Sequence, residues 1–487
     1  MNKINIVKES KKEEKNRKSK KLASSSLGEF ETTVKKAMHI EPQRKNEIIA
    51  NFLNVKTDEV FSTKQIYPMF KMPVVCHSFL EMLEKDKDII IEYLTSYARD
   101  GYISETSHVQ VEININKTVD VVTLGDYFLT KNGKKFVITI DFERGITAGD
   151  ISICVADKNK KEASQFIIDL DNFIRNANFL KGKNITPFGK FLKLKRKYSW
   201  KDVIFPKELE NEIKQNIERY LANFEIYRKN GLPTKRGILL PGAPGVGKTL
   251  LGKVLASTMK GVTFIWVTPK HFNENKQYCI EMLFDLATEL APTILFMEDV
   301  DFYGVSRAQG NNSTVLGEFL NKVDGIVENE GVLIIMTTNH PKMLDPAIKE
   351  RPGRFDRLIE IHLPEKRERY KMLKRFCKDL KTKNIDWEKL TFLSEGFTGA
   401  LIKELVITAS SFAIEDKSLD ENDKVILKQK HFDQSFETLK KYSKAEEKNI
   451  SGFRRKEEEV PDDGNTIEPY SDPSNRTQYE KDTGEIE

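Results

Sequence analysis

Two short stretches of this chain carry residue types that do chemistry. One is ILFMEDVD (294–301), an apolar run typical of a strand buried on both faces, which ends on Glu298, Asp299 and Asp301. Carboxylates this close repel one another and are costly to desolvate unless a cation or a proton compensates them. A strand surfacing into a charged loop reads the same way, so this stretch decides nothing alone. The other is GAPGVGKTL (242–250), in which Gly242, Gly247, Lys248 and Thr249 meet the GxxxxGK[ST] spacing. Glycines there let a loop wrap with its backbone N–H groups aimed at phosphate oxygens. The helix that follows adds its positive N-terminal end. Lys248 is the mobile point charge for the β- and γ-phosphates, and the Thr249 hydroxyl is a ligand for Mg2+. The loop formed by Gly242, Ala243, Pro244, Gly245, Val246, Gly247, Lys248, Thr249 and Leu250 therefore reads as a nucleotide site that cradles the phosphates, with Mg2+ beside them. Beside such a loop a neighbouring strand delivers carboxylates to hold Mg2+ and polarise a water, and the metal supplies the compensation that ILFMEDVD needs.

These residues must be carried by particular elements. From residue 199 onward the rhythm is strand–helix–strand: RGILLPG, VTFIWVT, TILFMED, VLIIMTTN and RLIEIHLP alternate with helical stretches. Apolar residues on both faces of such runs indicate a parallel sheet sandwiched by helices. Beyond Pro364 the pattern is of short helices only, through Tyr442. Upstream, residues 31–100 read as helical, including SFLEMLEKDKDIIIEYLTSYARDG. Residues 107–156 switch to alternating strands separated by Asn-Gly or charged turns. A helix follows in EASQFIIDLDNFIRNANFL, with Phe166, Ile167, Leu170, Phe173 and Ile174 on one face as a core stripe. The expected division is a basic disordered tail (1–30), an α+β N-terminal domain for partner docking (31–197), a large α/β subdomain (198–364), a helical lid (365–443) and an acidic disordered tail (444–487).

Composition bounds the class. A chain of 487 residues, 31% charged and 39% hydrophobic with a net charge of +5, has material for a few domains. Lys-rich residues 1–26 and the acidic segment from Lys456 onward bury too little apolar surface to order themselves. Cys76, Cys154, Cys279 and Cys377 lie far apart without a CxxC pair, which fits reduced thiols rather than a disulfide frame or a zinc site. No apolar run approaches the roughly 18 residues that span a bilayer, and the N-terminus lacks an apolar h-region. The expected location is cytoplasmic, without a membrane partner. No basic face repeats with aromatics between, which disfavours a nucleic-acid partner.

Taken with these motifs, residues 199–442 resemble the AAA ATPases. GAPGVGKT corresponds to that family's Walker A, ILFMEDVD to its Walker B, and KVDGI (322–326) to its intersubunit-signalling segment. MTTN ends at Asn339, the sensor-1 position. LDPAIKERPGRFDR (344–357) is similar to the second region of homology, which puts Arg351 and Arg354 at the arginine-finger positions. GFTGA (396–400) resembles the start of the lid helix near adenine, so Gly399 and Ala400 border the base. DVIFPKELENEIKQNI resembles the loop and helix before Walker A, placing the backbone of Val203 and Ile204 against the base. The resemblance implies an α/β P-loop core with a small α-helical lid, ATP hydrolysis, and a homo-oligomer in the form of a hexameric ring acting on a protein client.

Two departures bear on activity. The usual Walker B ends Asp-Glu, whereas this chain has Glu298-Asp299. Each carboxylate has moved by one methylene, about 1.5 Å, and a misplacement near 1 Å can cost about 100-fold in rate. A similar order occurs in the branch typified by the mitochondrial Rieske-protein translocase, which implies retained but slow hydrolysis. Glu298 is assigned with Thr249 to the metal, and Asp299 to the base. The second departure is the missing aromatic–hydrophobic–Gly pore triplet in VTPKHFNENKQYCIEMLFDLA, where Phe272 and Tyr278 read as packing residues. The leading reading is a ring-forming ATPase that remodels protein partners. The alternatives are an ATP-gated assembly switch with negligible turnover and, behind it, a nucleic-acid motor. No NKxD motif supports a GTPase, and no HExxH helix supports a built-in protease.

Overall fold

The computed structural model describes residues 45–68, 71–97, 103–142, 148–232, 236–272, 276–300, 331–341 and 357–439. The chain divides into two compact units, one of residues 1–375 with 387–403, the other of 376–386 with 404–487.

Among its described residues the first unit opens with α1 (Lys45–Leu53), β1 (Val60–Pro68), α2 (Met72–Lys85), β2 (Ile89–Tyr97), β3 (Ile103–Ser104), β4 (Ser107–Asn114), β5 (Lys117–Lys131), β6 (Lys134–Asp141), β7 (Ala148–Ala156) and α3 (Lys160–Ala177). The strands form an antiparallel sheet in the order β1-β7-β6-β5-β2-β3, with β4 also paired to the long β5. Alternation along β5 and β6 sends Leu129 and Ile138 to the core under α2 and α3, while Phe128 and Val137 pack against Ile49 and Leu53 of α1. The four expected strands of 107–156 and the amphipathic helix after them are present. The expectation of helix throughout 31–100 is corrected where it can be read, because β1 and β2 lie inside it. The Asp86-Lys87-Asp88 turn ends α2, and the β-branched run IIIEY then favours a strand over another helical turn.

The second sheet is parallel throughout, in the order β13-β9-β12-β11-β10-β8. Its strands are β8 (Asn184–Ile185), β9 (Arg236–Pro241), β10 (Thr263–Val267), β11 (Thr293–Met297), β12 (Val332–Thr338) and β13 (Arg357–Leu358). β9 to β12 are buried along almost their whole length, as strands covered on both faces must be. On one face Ile265, Val267, Leu295, Met297, Ile334 and Met336 join the core that continues into the N-terminal sheet. On the other, Phe264, Trp266, Ile294, Phe296, Leu333 and Ile335 pack under Ile213 of α4 (Lys207–Lys214) and under Leu251 and Leu255 of α5 (Lys248–Thr258). β8 comes from N-terminal to the 197/198 boundary expected above, and it pairs with Phe264 and Ile265 as the edge of this sheet. Glu289, which ends α6 (Lys276–Glu289), accepts a bond from Asn178 and is ion-paired with Lys71. The first unit also holds α7 (Lys366–Phe376) up to Arg375, α8 (Trp387–Leu393) and the first turn of α9 (Gly399–Glu415).

The second unit holds the rest of α9 and a small parallel pair, β14 (Lys381–Lys383) with β15 (Ile426–Lys428), around buried Leu427, Phe432 and Phe436. The expectation of helices only beyond Pro364 is thereby corrected. Three-residue strands are too short for a period of two to stand out in a sequence. Among the described residues no helix is long and apolar enough to cross a membrane, and Cys76, Cys154 and Cys377 are not in disulfides. Burial pushes the Cys76 thiol up to about 12, which keeps it protonated and inert.

Candidate nucleotide site

The glycine loop joins the end of β9 to the start of α5, with Gly247 as the N-cap. Gly245 and Gly247 have φ of +82° and +112°, left-handed conformations that a side chain would strain. Gly242 is required for a different reason, since a Cβ there would lie 2.5 Å from the carbonyl oxygen of Ile361. Lys248 is only 6% exposed. Its Nζ donates to the carbonyls of Gly242 (2.5 Å) and Ala243 (3.0 Å) and to Oδ1 of Asn339 (2.7 Å). Asn339 lies just past β12 and donates through Nδ2 to Oδ1 of Asp299 at 3.0 Å. One amide thus turns its oxygen to an ammonium and its NH2 to a carboxylate, the arrangement that suits both. Lysine, asparagine and aspartate form a single hydrogen-bonded chain.

The acid pair sits at the end of β11, and its two members have different neighbours. Glu298 donates its backbone N–H to Val267 O (3.0 Å) and accepts at Oε2 the indole N–H of Trp266 (2.9 Å), so β10 holds it. Asp299 donates its backbone N–H to Thr337 Oγ1 (3.1 Å), so β12 holds it. Its φ of +49° is the left-handed region, which aspartate tolerates at a cost of order 1 kcal/mol. This turn breaks the strand's alternation and sends the two carboxylates toward separate donors. It is the structural answer to how adjacent acids are accommodated at the end of a buried strand.

Around this centre, Val203 and Ile204 are half-buried between a helical turn (Trp200–Asp202) and α4. Asp202 is fixed by Arg196 (2.9 Å), by Arg375 at the end of α7 (2.8 Å) and by both N–H and Oγ of Ser199. The ring of Phe205 reaches 3.6 Å from where a Cβ on Gly247 would stand. From the first turn of α9, Ala400 donates its N–H to Gly245 O at 3.1 Å. A Cβ on Gly245 would meet Ala400 Cβ at 2.7 Å and Thr398 Oγ1 at 2.9 Å. The first turn of α9, with Gly399 and Ala400, is therefore in contact with the loop. Ala243, Pro244 and Thr249 are exposed, Leu250 is half-buried and Val246 is buried.

The structure thus gathers Lys248, Asn339 and Asp299 directly, and Glu298 beside them. Arg351, Arg354, Asp301 and residues 322–326 lie outside the described residues, as do the side chains of Phe272 and Tyr278. Sequence reasoning missed Trp266, Thr337, Phe205 and Thr398. Trp266 and Thr337 read as core positions of apolar strands, and only their single polar handles mark them otherwise.

The residues present fit a magnesium-bound triphosphate. The loop leaves a glycine wherever a Cβ would collide, an eleven-residue helix begins on it, and a buried ammonium is held on oxygens that phosphate oxygens can replace. Among the described residues no group of three His, Cys, Asp or Glu is placed to cage an ion. Magnesium characteristically uses one or two protein oxygens together with the phosphates, and Thr249 and Glu298 are the residues that would hold it.

Residues 238–363 match the family described as ATPase family associated with various cellular activities (AAA). The chain is 36% identical over 230 residues to a proteasome-activating nucleotidase of Pyrococcus abyssi, covering 45% of this chain and 57% of that protein. It is 37% identical over 217 residues to the proteasome-activating nucleotidase of Sulfurisphaera tokodaii, covering 42% and 55%. For that of Thermococcus gammatolerans it is 35% identical over 216 residues, covering 42% and 54%. The chain spans little more than half the length of the curated relatives it matches.

Proposed function

We propose that this chain hydrolyses ATP with Mg2+ and couples turnover, in a homo-oligomeric ring, to the remodelling of protein partners. The observation that carries the reading is the continuous bonding from Lys248 through Asn339 to Asp299. It brings the phosphate-binding cation and the acid suited to a base into one site, both of which phosphoryl transfer to water uses. Thr249 and Glu298 would hold Mg2+, which would supply neutralisation of the negative charge on the phosphates.

The remaining roles fall to the chain's own groups. The loop from Gly242 to Leu250 wraps the phosphates, and Lys248 exchanges its carbonyl partners for phosphate oxygens. Asp299 orients the attacking water and takes its proton, while Asn339 holds Asp299 in place. The backbone at Val203 and Ile204 and the lid residues Gly399 and Ala400 border the base. Arg351 and Arg354 reach the nucleotide of the neighbouring subunit, which makes catalysis dependent on a ring, hexameric by family resemblance. The Glu-Asp order keeps both carboxylates and sets a slow rate, as in the Rieske-translocase branch. The relatives are proteasome-activating by name; for this chain a protein client, in the cytoplasm, is the corresponding proposal.

The test is steady-state phosphate release by the purified chain. Lys248→Ala should abolish it, and Asp299→Asn should lower it at least about 100-fold while ATP binding survives. Asp299→Asn loaded with ATP should retain a protein client that Lys248→Ala does not. A wild-type protein that binds ATP and assembles without releasing phosphate would favour the other reading, an ATP-gated assembly switch. That reading draws on the shift of each carboxylate by one methylene.

A further inference from the structure

We infer that Trp266 is a positioning residue for ATP hydrolysis: its indole N–H fixes the Glu298 carboxylate at the metal-binding place and takes up the extra methylene of glutamate there. This rests on the hydrolytic reading above and adds a residue that neither the glycine loop nor the acid motif contains.

The geometry leaves the indole little freedom. Trp266 is 7% exposed on β10, with ring centroids 5.1 Å from Phe296 and 5.7 Å from Phe264. Its far edge runs beneath α5 at Gly252, where a Cβ would stand 3.1 Å from the indole and 2.6 Å from Phe296. Gly252 is one helical turn beyond Lys248, so the helix that carries the phosphate lysine also clamps the tryptophan. From this clamped ring the single N–H donates to Glu298 Oε2 at 2.9 Å. The other end of Glu298 is tied by its backbone N–H to Val267, the next residue of the same strand. Two consecutive residues of β10 therefore hold Glu298 at both ends.

The chemistry explains why such a hold matters. Compared with aspartate, glutamate adds one C–C bond, about 1.5 Å, and one rotor, so a free glutamate would sample several positions for its oxygens. Fixing one oxygen with a rigid donor leaves the other to face the metal. A core residue of the same size would fill the space equally well, because packing needs the ring and only positioning needs the N–H.

The experiment replaces Trp266 by β-(3-benzothienyl)alanine, which keeps the volume and removes the donor, with Trp266→Phe as a second variant and thermal melting as the folding control. ATP hydrolysis is measured against Mg2+ concentration in the wild-type background and in Glu298→Asp, whose shorter side chain falls back from the indole. The expected result is a fall in kcat of about 10–100-fold, the size of one hydrogen bond to a charged group. KM for ATP should stay within about 3-fold, and half-activating Mg2+ should rise about 10-fold. In Glu298→Asp the same replacement should change kcat by less than about 3-fold, because the two residues act as one unit. An unchanged or raised rate, an unaltered Mg2+ dependence, or equal effects in both backgrounds would overturn the assignment. Mn2+ binding in the presence of ADP, read by electron paramagnetic resonance, separates the two readings, since it needs no turnover. If the wild type fails to hydrolyse ATP yet the replacement weakens Mn2+ binding, the positioning role stands without the hydrolytic one. If Mn2+ binding is unchanged, the role of Trp266 is refuted whatever the turnover.

Discussion

Thr337 holds Asp299 in its left-handed turn through one hydrogen bond, from the Asp299 N–H to Oγ1 at 3.1 Å. Valine has nearly the same shape and no acceptor. Thr337→Val should lower kcat about 10-fold, the value of a single such bond, with KM for ATP little changed. Thr337→Ser keeps the oxygen and should restore the rate. A Val variant as fast as wild type would show that the turn is held by other contacts. At this scale the sequence disclosed the acids, the lysine and the glycines, because each motif is contiguous and its glycines answer to local backbone geometry. It concealed the donors. Trp266 is separated from Glu298 by 32 positions and Thr337 from Asp299 by 38, and neither separation corresponds to a local period of the chain.

Elements decide how rigidly those residues are held. β8 is two residues long, yet Ile185 is fully buried and its strand pairs with the Phe264–Ile265 stretch of β10, immediately before Trp266. Ile185→Ala should cost about 2–5 kcal/mol, read by denaturant unfolding, and should reduce turnover as well because it loosens the strand that bears Trp266. A loss of stability at unchanged kcat would show that β8 only packs. The segment before Val203 is pinned by Asp202. Burial pushes that carboxyl up, but bonds from Arg196 and Ser199 outweigh it and hold the group below its ordinary value of 3.8. A lowered value means the folded state binds the proton less readily than the unfolded chain. The stabilisation is present above pH 4 and is lost as the pH falls below it. The melting temperature of the wild type should therefore drop more steeply from pH 5 to pH 3 than that of Asp202→Asn; parallel profiles would count against the bridge. The parallel strands were legible as apolar runs, and β1, β2, β14 and β15 were not. β1 and β2 lie in a stretch whose charged and apolar residues also suit a helix, and β14 and β15 are too short to show a period.

For the whole molecule the property to test is assembly, since Arg351 and Arg354 are proposed to complete a site only across a subunit boundary. Light scattering with Mg2+ and ATP should give a mass near six chains of 56.1 kDa for Asp299→Asn, falling to smaller species for Arg351→Ala with Arg354→Ala or without nucleotide. A monomer under all conditions would remove the basis for catalysis in trans. The amino-acid sequence by itself determined the phosphate loop, the buried runs of the parallel sheet and the identity of the acid pair. Each of these is set within a few residues, by the backbone freedom of glycine or by the need of a covered strand to be apolar on both faces. Only the tertiary structure decided that β10 holds Glu298 while β12 holds Asp299, and that a two-residue strand from the N-terminal region closes the sheet beside them. The physical reason is that strand order and register in a parallel sheet bring together residues far apart in the chain. Which donor meets which carboxylate is therefore a property of the packed layers, carried by no single segment.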